Sequence, residues 1–291
     1  MSRRKELCMT GRRAGALALA LLLAAAGGAW ASSWSEVTRP TPGPARAIGS
    51  YTAGCIAGAV PLPADGTGYE VVRMSRRRYF GHPDNVAFVE RLGRRAAAAG
   101  LQPFYVGDMA QPRGGPLPYG HDSHQIGLDV DIWLNLDPKP RLPPAAREDP
   151  VLPSMVRPDG KAIDLRHFGA RQVTLLRLAA TDPAVNRLFV NWTIKKALCD
   201  GVGGAGRGDR SWLHRVRPWY GHEGHFHVRL NCPASSPDCV AQKPIPPGLG
   251  CDATLAWWAR QPIPHPPPPG TVPPRREPRL PQQCYALLQQ K

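Results

Sequence analysis

Apolar residues recur at helical spacing in the first third of the chain. Four of them define a first predicted helix: Val86, Val89, Leu92 and Ala96. They follow the period of about 3.6 residues that places side chains on one face of a helix. Asp84 stands where an N-terminal cap is expected, and Gly100 stands where the chain would leave the helix. This pattern predicts a helix between Asp84 and Gly100.

Shorter apolar patterns predict further elements. Val173, Leu176 and Ala180 indicate a second helix, which ends near Asp182 because Pro183 follows it. Residues 192–199 and 252–260 are expected to form two shorter helices, and residues 104–106 a short strand.

Two segments alternate between apolar and polar residues, as strands with one apolar and one polar face do. In residues 128–133 the polar positions include Asp129 and Asp131, and in residues 225–230 they include His225 and His227. A few strands separated by helices and loops are typical of the α+β class. We therefore expect a small central antiparallel sheet flanked by helices and long loops.

The N-terminal segment predicts export from the cytoplasm. Residues 14–26 form an apolar run of 13, preceded by five basic residues and followed by Ala29-Trp30-Ala31. A basic start, a short apolar core and an A-x-A site are typical of a cleavable signal peptide. The run is shorter than the roughly 20 residues that a membrane-spanning helix needs, so no transmembrane segment is expected.

The remaining chain divides by composition into three parts. Residues 32–47 form a Pro/Gly-rich N-terminal lead, and residues 48–260 are long enough for one domain with a sizeable core. Residues 261–291 begin with ten prolines in 21 positions, so an irregular or polyproline II tail is expected. A disulfide through Cys284 would tether this tail to the domain.

Composition and charge exclude several classes of function. The 291 residues are 42 % hydrophobic and 20 % charged, which excludes wholesale disorder. Residues 1–31 carry five basic residues and one acidic residue, so the mature chain keeps +11 of the formal net charge of +15. An exported chain rarely meets nucleic acid, and no nucleic-acid motif is present. An anionic polymer of the cell envelope is the better partner for this charge.

Six cysteines remain once Cys8 leaves with the signal peptide. An even number in an oxidising compartment predicts three disulfides, although six cysteines allow 15 pairings. Since none of them lies in a C-x-x-C pair, a thiolate zinc site is not expected. The cysteines brace the fold, and the chemistry comes from other residues.

Five of the nine histidines lie in two short clusters, which contain His121 with His124, and His222 with His225 and His227. Because strand residues two apart project from the same face, His225 and His227 point together, as do Asp129 and Asp131. Imidazole and carboxylate ligands suit Zn²⁺, and three of them leave a fourth coordination position for water. A further histidine beside a ligand can transfer a proton.

A single His-x-His pair is more often two surface histidines without a function than part of a metal site. Here it is combined with His124 and Asp131, seven residues apart and about a hundred residues upstream. Both pairs lie on or beside alternating strands of an exported chain, which favours a metal site over coincidence.

These motifs resemble the zinc peptidases grouped with lysostaphin, the D-alanyl-D-alanine carboxypeptidases and the hedgehog domain. More narrowly, the chain resembles the penicillin-insensitive murein endopeptidase family over almost its whole mature length. The segments that carry this resemblance are Ile48–Tyr51 with Gly54-Cys55, Arg78–Pro83, Ser123–Gln125 with Gly127–Asp131, Val216–Trp219, His225–Arg229, and Cys284 with Ala286–Leu288.

The resemblance implies roles for particular residues. His124, Asp131 and His227 would be zinc ligands, and His121 matches a position that sometimes serves as a further ligand. His225 would act as general base or stabilise the transition state, and His222 would be an electrostatic or proton-donating helper. Asp129 would not contact the metal but would orient one of the ligand side chains. By position, the disulfides would be Cys55–Cys284, Cys199–Cys251 and Cys232–Cys239.

One departure from the family pattern concerns a second metal. The family sequence Asp-Gly-Lys-His appears here as Asp159-Gly160-Lys161-Ala162. Asp159 alone makes a poor site, so we expect one zinc per chain and a second site that is weak or lost.

The function expected from this resemblance is hydrolysis of D-alanyl–meso-diaminopimelyl cross-links in periplasmic peptidoglycan. Two alternatives stay open: a D,D-carboxypeptidase of the same fold, and a non-catalytic zinc or cell-wall binding module. A homodimer is a further open alternative to the monomer.

Overall fold

The computed structural model describes residues 34–261 and 278–290. Eleven strands are found in these residues: β1 (Arg46–Ser50), β2 (Ala53–Ala57), β3 (Val60–Pro61), β4 (Asp65–Gly66), β5 (Tyr69–Val71), β6 (Phe80–Gly81), β7 (Phe104–Val106), β8 (Asp129–Trp133), β9 (Val185–Val190), β10 (Val216–Pro218) and β11 (His225–Leu230). The α-helices of the same residues are α1 (Pro83–Ala98), α2 (Ala170–Ala180), α3 (Trp192–Cys199), α4 (Ala253–Ala259) and α5 (Gln282–Gln289). The predicted α+β class is confirmed.

The central sheet has seven strands in the order β10-β9-β11-β8-β7-β5-β4. Its middle is antiparallel, as expected, because β11 pairs antiparallel with both β8 and β9. The whole sheet is mixed, however, since β10 runs parallel to β9 and β7 runs parallel to β5. In each of these pairs a helix lies between the two strands in sequence, α3 in the first and α1 in the second. Such crossovers return the chain in the same direction and give parallel neighbours.

The first predicted helix forms, but its N-terminal cap lies two residues earlier than expected. The helix α1 begins at Pro83, and the side chain of His82 accepts a hydrogen bond from the backbone N–H of Asp84. Asp84 is therefore not the cap. Pro83 explains the shift, because its fixed φ and missing N–H suit the first position of a helix.

The remaining predicted elements agree with the structure. The strands β7 and β11 and the helix α3 have the predicted bounds. The strand β8 and the helix α4 lie within the predicted segments, each shorter by one residue at one or both ends, and α2 contains the predicted apolar positions and ends at Ala180. The side chains of Val130 and Ile132 on β8 are fully buried in the core. Asp129 and Asp131 on its other face are also buried, with 0 % and 2 % exposure. Buried carboxylates need hydrogen-bond or ion-pair partners. The neighbouring strand β11 supplies them.

A hairpin and the C-terminal helix form a second, smaller core. The strands β1 and β2 pair antiparallel, and Cys55 on β2 forms a disulfide with Cys284 on α5. Buried apolar side chains fill the space around this bond, among them Trp34 and Leu287. The guanidinium of Arg113 donates to the backbone carbonyls of Leu287 and Gln290, which satisfies the carbonyl end of α5.

The three disulfides are those implied by the family resemblance: Cys55–Cys284, Cys199–Cys251 and Cys232–Cys239. The predicted signal peptide, residues 1–31, and most of the proline-rich segment lie outside the described residues. The division of the chain into lead, domain and tail therefore stays a prediction. Across the two described ranges, no helix combines the length and apolar character that crossing a membrane requires.

Candidate metal centre

The polar faces of β8 and β11 merge into one surface. In the antiparallel register of these strands, Asp131 lies opposite His227 and Asp129 lies opposite Arg229. Directly opposed residues of an antiparallel pair share a face of the sheet. The two alternating patterns of the sequence are therefore neighbours in space, with their carboxylates and imidazoles on the same side.

Four histidines surround the carboxylate of Asp131. Its Oδ1 lies 3.2 Å from Nδ1 of His227 and 3.5 Å from Nε2 of His124. Its Oδ2 lies 3.4 Å from Nε2 of His121 and 3.7 Å from Nε2 of His225. Asp131 is thus the centre of the cluster.

A tightly fixed loop brings His121 and His124 to this point. The amide side chain of Gln125 accepts from the N–H of Gly54 at 3.1 Å and donates to the carbonyls of Thr52 and Asp122, both at 2.9 Å. These bonds attach the loop to the β1–β2 hairpin. Gly127 has a φ of +74°, and a Cβ there would lie 2.5 Å from the Cδ1 of Ile56. Only glycine fits this turn without strain.

The donor set fits a divalent metal ion. One ligand atom from each of His121, His124 and Asp131 lies within 4.8 Å of the other two. Within the described part of the chain, both ring nitrogens of His124 and the Oδ1 of Asp131 are buried without a hydrogen-bond partner. Buried polar atoms without partners are costly unless something else coordinates them. Atoms that converge without bonding to one another are the arrangement expected of ligands that share an ion.

The protonation states of His124 and Asp131 also suit metal ligands. Burial lowers the pKa of His124 to about 4, so its ring is neutral at pH 7. Burial by itself would raise the pKa of Asp131, but the surrounding imidazoles, His124 above all, bring it well below the ordinary value. Metal binding requires this combination of neutral imidazole and ionised carboxylate.

His222 and His225 lie beside the ligand group. Their ring centroids are 5.0 Å apart, and burial lowers the pKa of both rings, that of His222 to about 3. Nδ1 of His222 is 2.6 Å from the carbonyl oxygen of Tyr220. A carbonyl only accepts, so Nδ1 carries the proton, and Nε2 of the neutral ring is an acceptor. His222 thus has a fixed tautomer.

Asp159 is not brought to this cluster. It is exposed, and its Oδ1 accepts a hydrogen bond from the backbone N–H of Lys161 in a turn. The carboxylate caps its own loop, as Asp residues in turns often do. Within residues 34–261 and 278–290, the group of His121, His124 and Asp131 is the one whose spacing suits a metal ion.

Two residues that the sequence analysis did not assign lie at the edge of the site. The buried Asp108 accepts from Nη1 of Arg78 at 2.7 Å, and its Oδ2 is 3.4 Å from Nε2 of His121. Burial would raise the pKa of Asp108, but His121 and Arg78 lower it overall. Asp108 follows the strand β7, 13 residues before His121, and no local pattern marks it.

A cleft of about 370 Å³ opens beside these side chains. The histidines His121, His222 and His227 line it together with aromatic side chains. The lining includes Phe189, Trp219, Tyr220, Arg229 and Gln242. The cluster therefore has access to a substrate.

Comparison with known proteins agrees with this site. A family model described as penicillin-insensitive murein endopeptidase matches residues 47–289. A penicillin-insensitive murein endopeptidase from Klebsiella pneumoniae (strain 342) is 44 % identical over 274 residues, covering 94 % of this chain and 96 % of the relative. One of the same name from Escherichia coli O1:K1 / APEC is 45 % identical over 275 residues, covering 94 % and 97 %. The chain thus belongs to the penicillin-insensitive murein endopeptidase family.

Proposed function

We propose that this protein is a zinc-dependent murein endopeptidase that hydrolyses the D-alanyl–meso-diaminopimelyl cross-links of peptidoglycan in the periplasm. The observation that carries the proposal is the convergence of His121, His124 and His227 on Asp131, next to an open cleft. Membership of the murein endopeptidase family supplies the substrate class.

His124, Asp131 and His227 are the proposed zinc ligands, with His121 as a further candidate. The choice rests on the short contacts of each histidine with Asp131 and on the buried, unpartnered atoms of His124 and Asp131. His121 has a competing carboxylate neighbour in Asp108, 3.4 Å away, whereas the carboxylate that faces Nε2 of His124 is that of Asp131. Nδ1 of His227 lies 3.2 Å from Oδ1 of Asp131 and its Nε2 lies 3.1 Å from Oδ1 of Asp129, so the Nδ1 side of the ring is directed to the cluster.

When bound, Zn²⁺ lowers the pKa of a coordinated water to about 7 and polarises a carbonyl oxygen. His225 is the proposed proton carrier. Its Nε2 lies 3.7 Å from Oδ2 of Asp131, and burial lowers the pKa of the ring so that the neutral form prevails. A neutral imidazole accepts a proton from the attacking water and passes it to the leaving amine.

His222 has a different proposed role. Since its Nδ1–H is bound to the carbonyl of Tyr220, its Nε2 accepts a hydrogen bond from an N–H group of the substrate. This replaces the proton-donating role that the family resemblance had left open.

The four histidines converge on the carboxylate of Asp131, so the proposed route uses water as the nucleophile and has no acyl-enzyme. A β-lactam, which traps serine enzymes by acylation, is therefore expected to leave the reaction unaffected. Export to the periplasm is supported by the three disulfides, which persist in oxidising compartments.

The test is digestion of purified sacculi with the mature protein, followed by mass spectrometry of the released muropeptides. We expect loss of cross-linked dimers, abolished by a chelator, restored by zinc and insensitive to benzylpenicillin. Release of free D-alanine from uncross-linked muropeptides alone would instead identify a D,D-carboxypeptidase. Binding to sacculi without any cleavage would identify a non-catalytic module.

A further inference from the structure

A connected row of aromatic side chains leads from the cleft to the protein surface. We call Phe189, Trp219, Tyr220, Trp257 and Trp258 the aromatic platform. The ring centroids of Phe189 and Trp219 are 5.7 Å apart, and that of Trp258 lies 5.9 Å from Trp219 and 4.8 Å from Tyr220. Trp257 ends the row at 5.2 Å from Trp258. Three of the five rings, Phe189, Trp219 and Tyr220, also line the cleft.

Three rings of the aromatic platform are exposed to an extent that is unusual for large apolar side chains in contact with one another. Trp219 is 51 % exposed, Tyr220 42 % and Trp257 47 %. Single exposed apolar residues need no explanation, but a contiguous patch next to a binding site indicates a ligand surface. Tryptophan and tyrosine provide large contact areas at a low cost in conformational entropy.

The backbone that carries Trp257 and Trp258 is held in place although its helix buries little. In α4, Leu255 is the buried residue. The helix is fixed instead by its surroundings: the Cys199–Cys251 disulfide joins its start to α3, and Nζ of Lys195 donates to the carbonyl of Leu249 at 2.6 Å. Asp252 caps it by accepting from the N–H of Thr254. The two tryptophans are thereby presented in a preorganised arrangement, which lowers the cost of binding.

We propose that the aromatic platform binds the glycan strand of peptidoglycan by stacking on the pyranose rings of its N-acetylhexosamines. One face of such a ring carries C–H groups and is apolar, whereas its hydroxyl and amide groups at the rim stay in water. This inference rests on the proposed function. A cross-linked peptide that lies in the cleft is attached to a glycan strand, and the platform extends the cleft in one direction along the surface.

A binding measurement tests the platform without any turnover. The probe is the β-1,4-linked tetramer of N-acetylglucosamine, titrated calorimetrically into the full mature protein. Trp257→Ala is expected to weaken binding by about tenfold, the loss of one stacked ring, and Trp257→Phe to restore most of it. Leu165→Ala is the matched control, because Leu165 is 71 % exposed on a different surface. Absence of wild-type binding, or equal weakening by Leu165→Ala, would overturn the proposal.

A kinetic measurement shows whether the aromatic platform contacts the glycan or the peptide part of the substrate. Cross-linked muropeptide dimers are compared with the same peptide dimers freed of sugar, and Trp257→Ala is expected to reduce kcat/KM on the sugar-bearing substrate alone. Equal reduction on both substrates would mean that the platform contacts peptide. If the protein bound no sugar but formed a dimer in analytical ultracentrifugation that Trp257→Ala dissociated, the platform would be a protein interface. Either of these two results would contradict the proposal. If the protein cleaved neither substrate, the proposed activity would fail, while the titration would still decide the glycan site.

Discussion

The guanidinium of Arg229 and the carboxylate of Asp129 form a buried ion pair across β8 and β11, with Nε 2.9 Å from Oδ1 and Nη2 3.1 Å from Oδ2. The same carboxylate has two further neighbours. Its Oδ1 lies 3.1 Å from Nε2 of His227, and its Oδ2 accepts from the backbone N–H of His124 at 3.0 Å. Burial would raise the pKa of Asp129, but Arg229 and His227 hold it well below the ordinary value. One ionised carboxylate thus positions two proposed ligands from separate segments.

Replacement of this carboxylate should weaken the metal site without removing a ligand. We expect Asp129→Asn to lower zinc affinity by about 10- to 100-fold, the usual effect of losing a partner that orients a ligand. Competition with a chromophoric chelator measures the affinity, and circular dichroism monitors the fold. Asp159→Asn is the matched control, because Asp159 is an exposed aspartate in a turn. Asp159→Asn should leave the zinc affinity unchanged, together with the stoichiometry of one zinc per chain. Two tightly held zinc ions in the wild type would contradict the prediction of a single site.

The two histidines of the His-x-His pair should respond differently to substitution. His225→Ala is expected to retain zinc and to lose about 10²- to 10⁴-fold in turnover, because a proton-transfer group contributes in this range. His227→Ala is expected to lose zinc, since Nδ1 of His227 faces Asp131 at 3.2 Å. Metal content by mass spectrometry and cleavage of muropeptide dimers distinguish the two effects. Release of zinc from the His225→Ala variant would reverse the assignment.

The part of the site that lies on alternating strands could be predicted from the sequence. Period-two alternation decides which side chains share a face, so Asp129 with Asp131 and His225 with His227 followed from local spacing alone. Val130 and Val228, which lie on the other face of these two strands, are buried in the core, and this confirms the alternation. Local patterns are reliable here because one face of each strand is fully buried.

Features that depend on the pairing of distant segments were missed. The strand β9 has no regular alternation, with buried residues at four of its six positions, and its place beside β11 puts Phe189 opposite His227. The pairing of β7 with β8 places Asp108 beside Asp131, and there its Oδ2 lies 3.4 Å from Nε2 of His121. Both contacts are consequences of sheet order, which residue spacing does not encode.

The Cys55–Cys284 disulfide should contribute more stability than the Cys232–Cys239 disulfide. The first closes a separation of 229 residues and the second one of 7 residues. In the chain-entropy description, losses of about 5 and about 2 kcal/mol follow for the two pairs. Guanidinium unfolding of the two double Cys→Ala variants measures the difference. Equal losses would show that packing of α5, and not loop closure, dominates.

The buried Lys195 should make stability depend on pH. Its side chain is fully buried, and its Nζ donates to the carbonyls of Leu213 and Leu249 at 2.7 and 2.6 Å. Burial lowers its pKa from 10.5 to about 7. Between these values the unfolded chain binds the proton and the folded chain does not, so the free energy of unfolding should rise with pH from about 7 towards 10.5. Below about pH 7 both states are protonated, and this contribution is absent.

Urea unfolding at pH 7 and at pH 9.5 measures this dependence against a matched control. Lys195→Met removes the titrating group, so its unfolding free energy should rise less over this interval than that of the wild type. Lys196→Met should keep the wild-type rise, because Lys196 is exposed on the same helix and pairs with Asp200. The rise itself is the informative quantity, since Lys195→Met also leaves two carbonyls without a donor and lowers stability at every pH. Equal rises in wild type and Lys195→Met would mean that the lysine stays protonated in the folded protein through its contacts with the two carbonyls.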